Sequence, residues 1–242
     1  MNFTIILPTY NRNFAVTKLL SELEPCKDQL EIIILDDSDI IDPHNTLTYP
    51  DWVIVNRHFG KRGAINCLNL GIDKSTNNHI LVLGDDTHIH NIKEFLKILE
   101  IGFLYGNEKP PIIGFKLIDK SPKHIPTILT EIAWYIFGLP FPETGDNYKL
   151  ANFTGTFAFI KSSIRFDPKF LGSGFNAETD FQLQHKSKLW YMPGLEVYHD
   201  EINESIPHKN DKLKLHNHGV LLRKHSHFWL PKQIFYHIWL LL

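Results

Sequence analysis

Cysteine is scarce in this chain: 242 residues carry two, Cys26 and Cys67. Two cysteines so far apart make no disulfide framework, and a reducing cytoplasm is the expectation. Charge of one sign is also missing. The formal net charge is −2, which argues against a nucleic-acid binder held by bulk charge. No apolar run reaches the ~20 residues of a membrane span. The chain enters a strand at Phe3, leaving no room ahead of it for a signal peptide. Internal repeats and low-complexity tracts are not evident. What is present is a globular composition, 43% hydrophobic and 21% charged, long enough for one large α/β domain or two small ones.

The densest signal is at residues 80–90. Ile80 to Leu83 reads as a strand buried on both faces, broken by Gly84, with Asp85 and Asp86 at its end. Two adjacent carboxylates need a cation or hydrogen-bond donors to balance them. At the carboxyl end of a strand in an open α/β sheet, they suit a divalent metal that carries a nucleotide's diphosphate. They equally suit a solvated turn that caps a helix beginning near Asn91.

Phe3 to Leu7 reads as a strand stopping at Pro8. A turn follows, then a helix capped by Asn11 or Asn13 and ended by Pro25, with Val16, Leu19, Leu20 and Leu23 on one face. Leu30 to Leu35 is a second buried strand, followed by Asp36 and Asp37. Val53 to Val55 is a third. Next comes a basic loop with Lys61 and Arg62 between Gly60 and Gly63, suited to phosphate or simply to water. Ala64 to Asp73 reads as a helix with Ile65, Leu68 and Ile72 on one face. The order to Leu99 is β-α-β-β-α-β-α, half of an open nucleotide-binding sheet.

Four segments in this order, TIILPTYNR (4–12), IIILDDSD (32–39), the stretch from Gly63 to Gly71, and LVLGDDT (81–87), resemble glycosyltransferase family 2. The resemblance covers at least the first 100 residues. It implies a GT-A fold: an α/β domain with a Rossmann-like mixed central sheet flanked by helices. Residues 1–205 would form the domain, 1–100 binding the nucleotide-sugar and 101–205 serving acceptor and catalysis. Residues 206–242 would form a C-terminal helical tail. The implied activity is inverting transfer of a hexose from a nucleoside-diphosphate sugar, UDP-sugar favoured, to a hydroxyl of a glycan or lipid-linked acceptor in cell-surface polysaccharide synthesis.

The resemblance also implies roles, residue by residue. Pro8, Thr9, Tyr10, Arg12, Asp37, Lys61, Arg62 and Asp85 would hold the nucleotide. Asp86 and His199 would ligate Mn²⁺ or Mg²⁺. Gly155 and Thr156 would meet the acceptor; Trp134, in the aromatic-rich stretch 119–150, suits an acceptor platform, since aromatic faces match the apolar faces of sugars, or ordinary packing under a long loop. The family's Glu-Asp-x-Asp stretch reads Ala177-Glu178-Thr179-Asp180 here, so Glu178 inherits the general base and Asp180 is the second catalytic acid. An inverting transfer needs one carboxylate to take the acceptor's proton. Glu178 and Asp180 also suit a plainer role as first-turn acids at a helix N-terminus. Two departures stand out: Gly84 where the family often has an acid, and Ala177 in the base motif. They leave open a donor-binding but inactive subunit of a glycosyltransferase complex. A nucleotidyltransferase would need a glycine-rich loop after the first strand. A phospho-receiver domain would leave residues 130–242 unexplained.

The tail carries two His-x-His pairs, His216 with His218 and His225 with His227. On a strand these would share a face and suit a metal, although with fourteen histidines in the chain coincidence is the plainer reading. Its apolar end, with Trp239, suits peripheral contact with the inner face of a membrane, packing on the domain, or a second copy in a homodimer.

Overall fold

The computed structural model describes residues 1–38, 49–57, 63–105, 112–119, 149–151, 156–172, 176–185, 189–199 and 211–225. Four parallel strands open the chain: β1 (Phe3–Thr9), β2 (Leu30–Asp36), β3 (Val53–Arg57) and β4 (His79–Val82). β2 and β4 flank β1, and β3 lies outside β2. Successive residues of a strand face opposite sides, so near-continuous apolar runs mean cover on both. On one face Ile5, Leu7, Ile32, Ile34 and Leu81 meet Val16, Leu19, Leu20 and Leu23 of α1 (Asn13–Leu23). Phe95, Leu96 and Leu99 of α3 (Ile92–Tyr105) complete that layer. On the other, Ile6, Ile33, Leu35 and Ile80 meet Ile65, Leu68 and Ile72 of α2 (Ala64–Lys74). Gly71 lets α2 close onto β1: a Cβ there would sit 2.5 Å from Ile6 Cγ2.

The remaining described elements are β5 (Thr87–His88), β6 (Ile112–Asp119), β7 (Lys149–Ala151), β8 (Phe157–Ile160), α4 (Ala177–Gln184), β9 (Leu189–His199) and α5 (Asp211–His225). Together the described strands form one mixed sheet in the order β3-β2-β1-β4-β8-β6-β9-β5, with β7 against β9. β8 is antiparallel to both β4 and β6, and β9 runs parallel to β6 with a bulge opposite Phe115 and Lys116. α4 and α5 cover the α2 side, where Phe181, Val220 and Leu221 join the core.

Several local expectations need correcting. β1 does not stop at Pro8; Pro8 pairs with Leu35 and the strand ends at Thr9. Ile6 takes its bond from Leu83 on the β4 side. Pro8, two residues on, faces the same way, beyond the last paired residue of β4, so its missing N–H costs no ladder bond. The residue that caps α1 is Arg12, with no side-chain cap, rather than Asn11 or Asn13. α1 ends at Leu23, as expected ahead of Pro25, which sits in the first turn of a following 3-10 segment, Glu24–Gln29. His216 and His218 lie on a helix, where residues two apart point away from each other, so that pair shares no metal-binding face, which agrees with the plainer reading of coincidence.

Candidate active site

β1, β2, β4, β6 and β9 all run the same way, so their carboxyl ends share one edge of the sheet. Three hydrogen bonds tie that edge together. The Asp37 N–H donates to the Thr9 carbonyl at 2.9 Å. The Thr9 hydroxyl donates to Asp85 Oδ2 at 2.8 Å. Asp37 Oδ2 accepts the Gly63 N–H at 2.7 Å, which fixes the start of α2 beside β2. The neighbouring Asp36 does different work. It is buried and accepts from Arg57 Nε at 3.0 Å and from the Tyr49 hydroxyl at 3.3 Å, holding β3 to β2.

Asp85 and Asp86 stand in the turn after β4, closed by the Thr87 hydroxyl on the Gly84 carbonyl at 2.6 Å. One nitrogen of Arg12, Nη1, donates to Asp85 Oδ1 and to Asp86 Oδ2, each at 2.8 Å. Burial pushes the Asp85 carboxyl above its ordinary range, against the pull of Arg12 and Thr9. Burial also opposes ionisation of Asp86, but His199 and Arg12 outweigh it and hold that carboxyl below the usual range. The antiparallel pairing of β5 with β9 sets Thr87 opposite His199 and brings His199 Nε2 to 3.3 Å from Asp86 Oδ2. β5 is itself pinned to α1, where Glu22 bonds His88 Nδ1 and the Ile89 N–H. Gly84 has a local reason to lack a side chain: a Cβ would lie 2.7 Å from Asp86 Oδ1 and push that carboxylate out of place.

Glu178 reaches the same edge by a longer route. β8 ends at the opposite edge, where the Lys161 N–H bonds the Asn78 carbonyl. The following segment then climbs antiparallel to α2. Arg165 pairs with Asp73 near the C-terminus of α2 at 2.7 Å. Asn69, in mid-helix, bonds both the N–H and the carbonyl of Phe166, at 2.9 Å each. The Gly172 carbonyl accepts from Ala64 at the helix start. Four residues later Asn176, in the left-handed conformation at φ 67°, opens α4. The N-terminus of α4 is thus delivered to the end of α2 that Asp37 grips. Glu178 is half-buried, and burial raises its carboxyl to about 7.

Asp180 is fully buried and enclosed. Lys224 reaches it at 2.8 Å, His225 Nε2 at 2.7 Å and the Gln184 amide at 2.7 Å. Lys224 and His225 come from α5, so Asp180 anchors one helix to another. Ala177 is buried among the apolar residues of the α2 side, a place where an acid would lie in the core. Thr156 stands just before β8, at the carboxyl edge, with its carbonyl taking the Phe115 N–H at 2.9 Å. Tyr10 is exposed on the turn beside Arg12. Lys61, Arg62, Trp134 and Gly155 lie outside the described residues, as does His227.

Among the described residues no group of three His, Cys, Asp or Glu side chains is set to hold a metal by itself. Asp86 and His199 make a two-donor set with Asp85 alongside. Oxygen-preferring divalent ions such as Mg²⁺ and Mn²⁺ take one or two carboxylates and fill the rest of their shell with substrate phosphates and water, so this set fits them. Sequence reading did not identify Lys224, His225, Asn69 or Gly63 as parts of the site's frame. Asn69 stood inside a quoted motif stretch, but nothing signalled its partner nearly 100 residues away.

Residues 4–106 match the profile of the family described as glycosyl transferase family 2. No curated protein matches the chain. Among solved structures, S. aureus TarS 1-349 is similar at 15% identity with a TM-score of 0.57, over 96% of this chain and 77% of that one. The same protein in complex with UDP-GlcNAc gives 15% and 0.59, over 96% and 69%. A mycobacterial protein gives 14% and 0.59, over 91% and 73%. This chain spans 41% of a longer TarS structure. At these identities the likeness carries the fold: a mixed α/β sheet flanked by helices, of GT-A type.

Proposed function

Residues 4–106 belong to glycosyl transferase family 2, which makes the chain a glycosyltransferase, and from that premise we propose that it moves a sugar from a UDP-sugar to a hydroxyl of a glycan or lipid-linked acceptor, with inversion. The observation that carries the reading is the convergence at one sheet edge of Asp37, Asp85, Asp86 and His199 with the N-terminus of the helix that bears Glu178. The TarS fragment's complexes with UDP and UDP-GlcNAc favour uracil as the base.

Each residue then has a task. Thr9 and Asp37, with Pro8 at the end of β1 and Tyr10 just after it, line the nucleotide's side of the edge. Asp85, held by Thr9, accepts from ribose hydroxyls. Asp86 and His199 would hold Mn²⁺ or Mg²⁺, and the ion would supply positive charge to the leaving diphosphate. Lys61 and Arg62 are proposed to assist there, and Gly155, Thr156 and Trp134 to meet the acceptor. Glu178 takes the proton of the attacking hydroxyl as the bond from the anomeric carbon to the diphosphate oxygen breaks and the new bond to the acceptor oxygen forms. An acidity near 7 leaves about half of this carboxyl ionised at neutral pH, and the ionised form is basic enough to accept a proton. Asp180, enclosed by Lys224 and His225, positions α4 rather than exchanging protons. The product is a step in cell-surface polysaccharide assembly. No described helix is long and apolar enough to cross a membrane. Contact with a membrane face or a second subunit is proposed for residues 226–242.

The test is UDP release from UDP-sugars over a panel of hydroxyl acceptors in Mn²⁺. Wild type turns over, with kcat/KM rising through about pH 7 as Glu178 ionises. Glu178→Gln loses roughly 10²–10⁴ in kcat while still binding UDP. Undiminished turnover in that variant would assign the base elsewhere.

A further inference from the structure

Arg12 stands where a divalent cation would have to go. Its Nη1 is 2.8 Å from Asp85 Oδ1 and 2.8 Å from Asp86 Oδ2. Asp86 Oδ2 is also the atom that His199 Nε2 approaches at 3.3 Å. A single nitrogen therefore bridges both carboxylates and shares its second oxygen with the imidazole. The chain supplies its own cation at the meeting point of the metal donors. The guanidinium is mostly buried, and its side chain is only 12% exposed, so this is an interior pairing. It is also an incomplete one. Arg12 Nε is buried with no hydrogen-bond partner among the described residues. A guanidinium matches an anion best through two parallel donors, and here one nitrogen does all the bonding to two acids.

We propose that Arg12 is a resident counter-ion for the Asp85–Asp86 pair, one that a divalent ion must displace. This rests on the reading of Asp86 and His199 as the metal donors. Three consequences follow from the charges. Without Arg12, Asp86 would keep only the His199 imidazole and Asp85 would lose the cation beside it, so Arg12 steadies the turn in the free protein. With Arg12 in place the pair carries one net negative charge instead of two, which weakens its hold on a bare metal ion. When nucleotide arrives with the ion, the diphosphate offers oxygens that fit the whole guanidinium fork, including the unused Nε. Metal and diphosphate therefore bind together far better than metal alone.

The test is a Mn²⁺ titration without nucleotide, read by the electron paramagnetic resonance of free Mn²⁺, on wild type, Arg12→Gln, Arg12→Lys, and Arg12→Gln combined with Asp86→Asn. Arg12→Gln should bind Mn²⁺ about tenfold tighter than wild type or better, the equivalent of roughly 1.4 kcal/mol. Arg12→Lys, which keeps the charge, should stay near wild type. Adding Asp86→Asn should abolish the gain. Equal or weaker binding by Arg12→Gln overturns the proposal, and so does a gain that survives Asp86→Asn. A second reading needs no variant: the Arg12 Nε–H resonance of the wild type should shift when Mg²⁺ and UDP are added together, and an unmoved resonance overturns the proposal. Repeating the Mn²⁺ titration with UDP separates the two ideas. If wild type binds Mn²⁺ with UDP but Arg12→Gln shows no gain without it, the metal donors stand and the role of Arg12 falls. If neither protein binds Mn²⁺ under any condition, both fall.

Discussion

Glu178, the proposed base, also carries a stability cost. Burial raises its carboxyl from 4.5 to about 7. Between those values the folded protein holds a proton that the unfolded chain has released. The native state's advantage from this group is therefore complete below about 4.5 and is lost as pH rises through about 7. Glu178→Gln removes the ionisation and with it the loss. The variant should melt at a higher Tm than wild type at pH 8 and at nearly the same Tm at pH 5, by calorimetry. A variant that melts lower at pH 8 would mean that the carboxylate is stabilised by partners rather than opposed by burial. The acids at 85 and 86 were conspicuous in the sequence because two adjacent carboxylates after an apolar run demand compensation. Which cation compensates them was not legible, since Arg12 stands more than 70 positions away.

At the level of elements, the first hundred residues were readable because their strands are continuous apolar runs and their helices repeat at 3–4 residues. The second half was less so. The segment from Lys161 to Gly172 has no period to detect; it is held by side chains that bond its backbone, Asn69 of α2 at Phe166 and Asn217 of α5 at Leu171. β9 is cut by a bulge around Pro193 and Gly194, so its eleven residues read as two pieces. α5 was expected as part of a separate tail. Over 211–225 it packs on α4 and contributes Val220 and Leu221 to the core. The Asp180 network is the clearest consequence. Lys224→Met leaves a buried carboxylate short of its ammonium donor and should cost about 1.5–3 kcal/mol in urea unfolding. UDP affinity should be unchanged, because Lys224 touches only Asp180 and Asp167 among the described residues. An unaltered unfolding midpoint would mean that α5 does not brace α4.

The whole molecule turns a strand topology into a site. Parallel strands that share a direction put their ends on one edge, and antiparallel β8 then obliges the chain to travel back along α2 before Glu178 can join them. The family match ends at residue 106, yet the likeness to TarS runs over 96% of the chain, so the fold persists where sequence similarity has faded. Packing faces and strand directions tolerate wide substitution. The account depends on the turn after β4 being the nucleotide-diphosphate site. Isothermal titration of UDP into wild type and into Asp86→Asn, each with and without Mn²⁺, tests this most directly. Wild type should bind UDP in Mn²⁺ and lose most of the affinity without it, and Asp86→Asn should bind weakly in both; UDP binding that is indifferent to both Mn²⁺ and Asp86 would contradict the account.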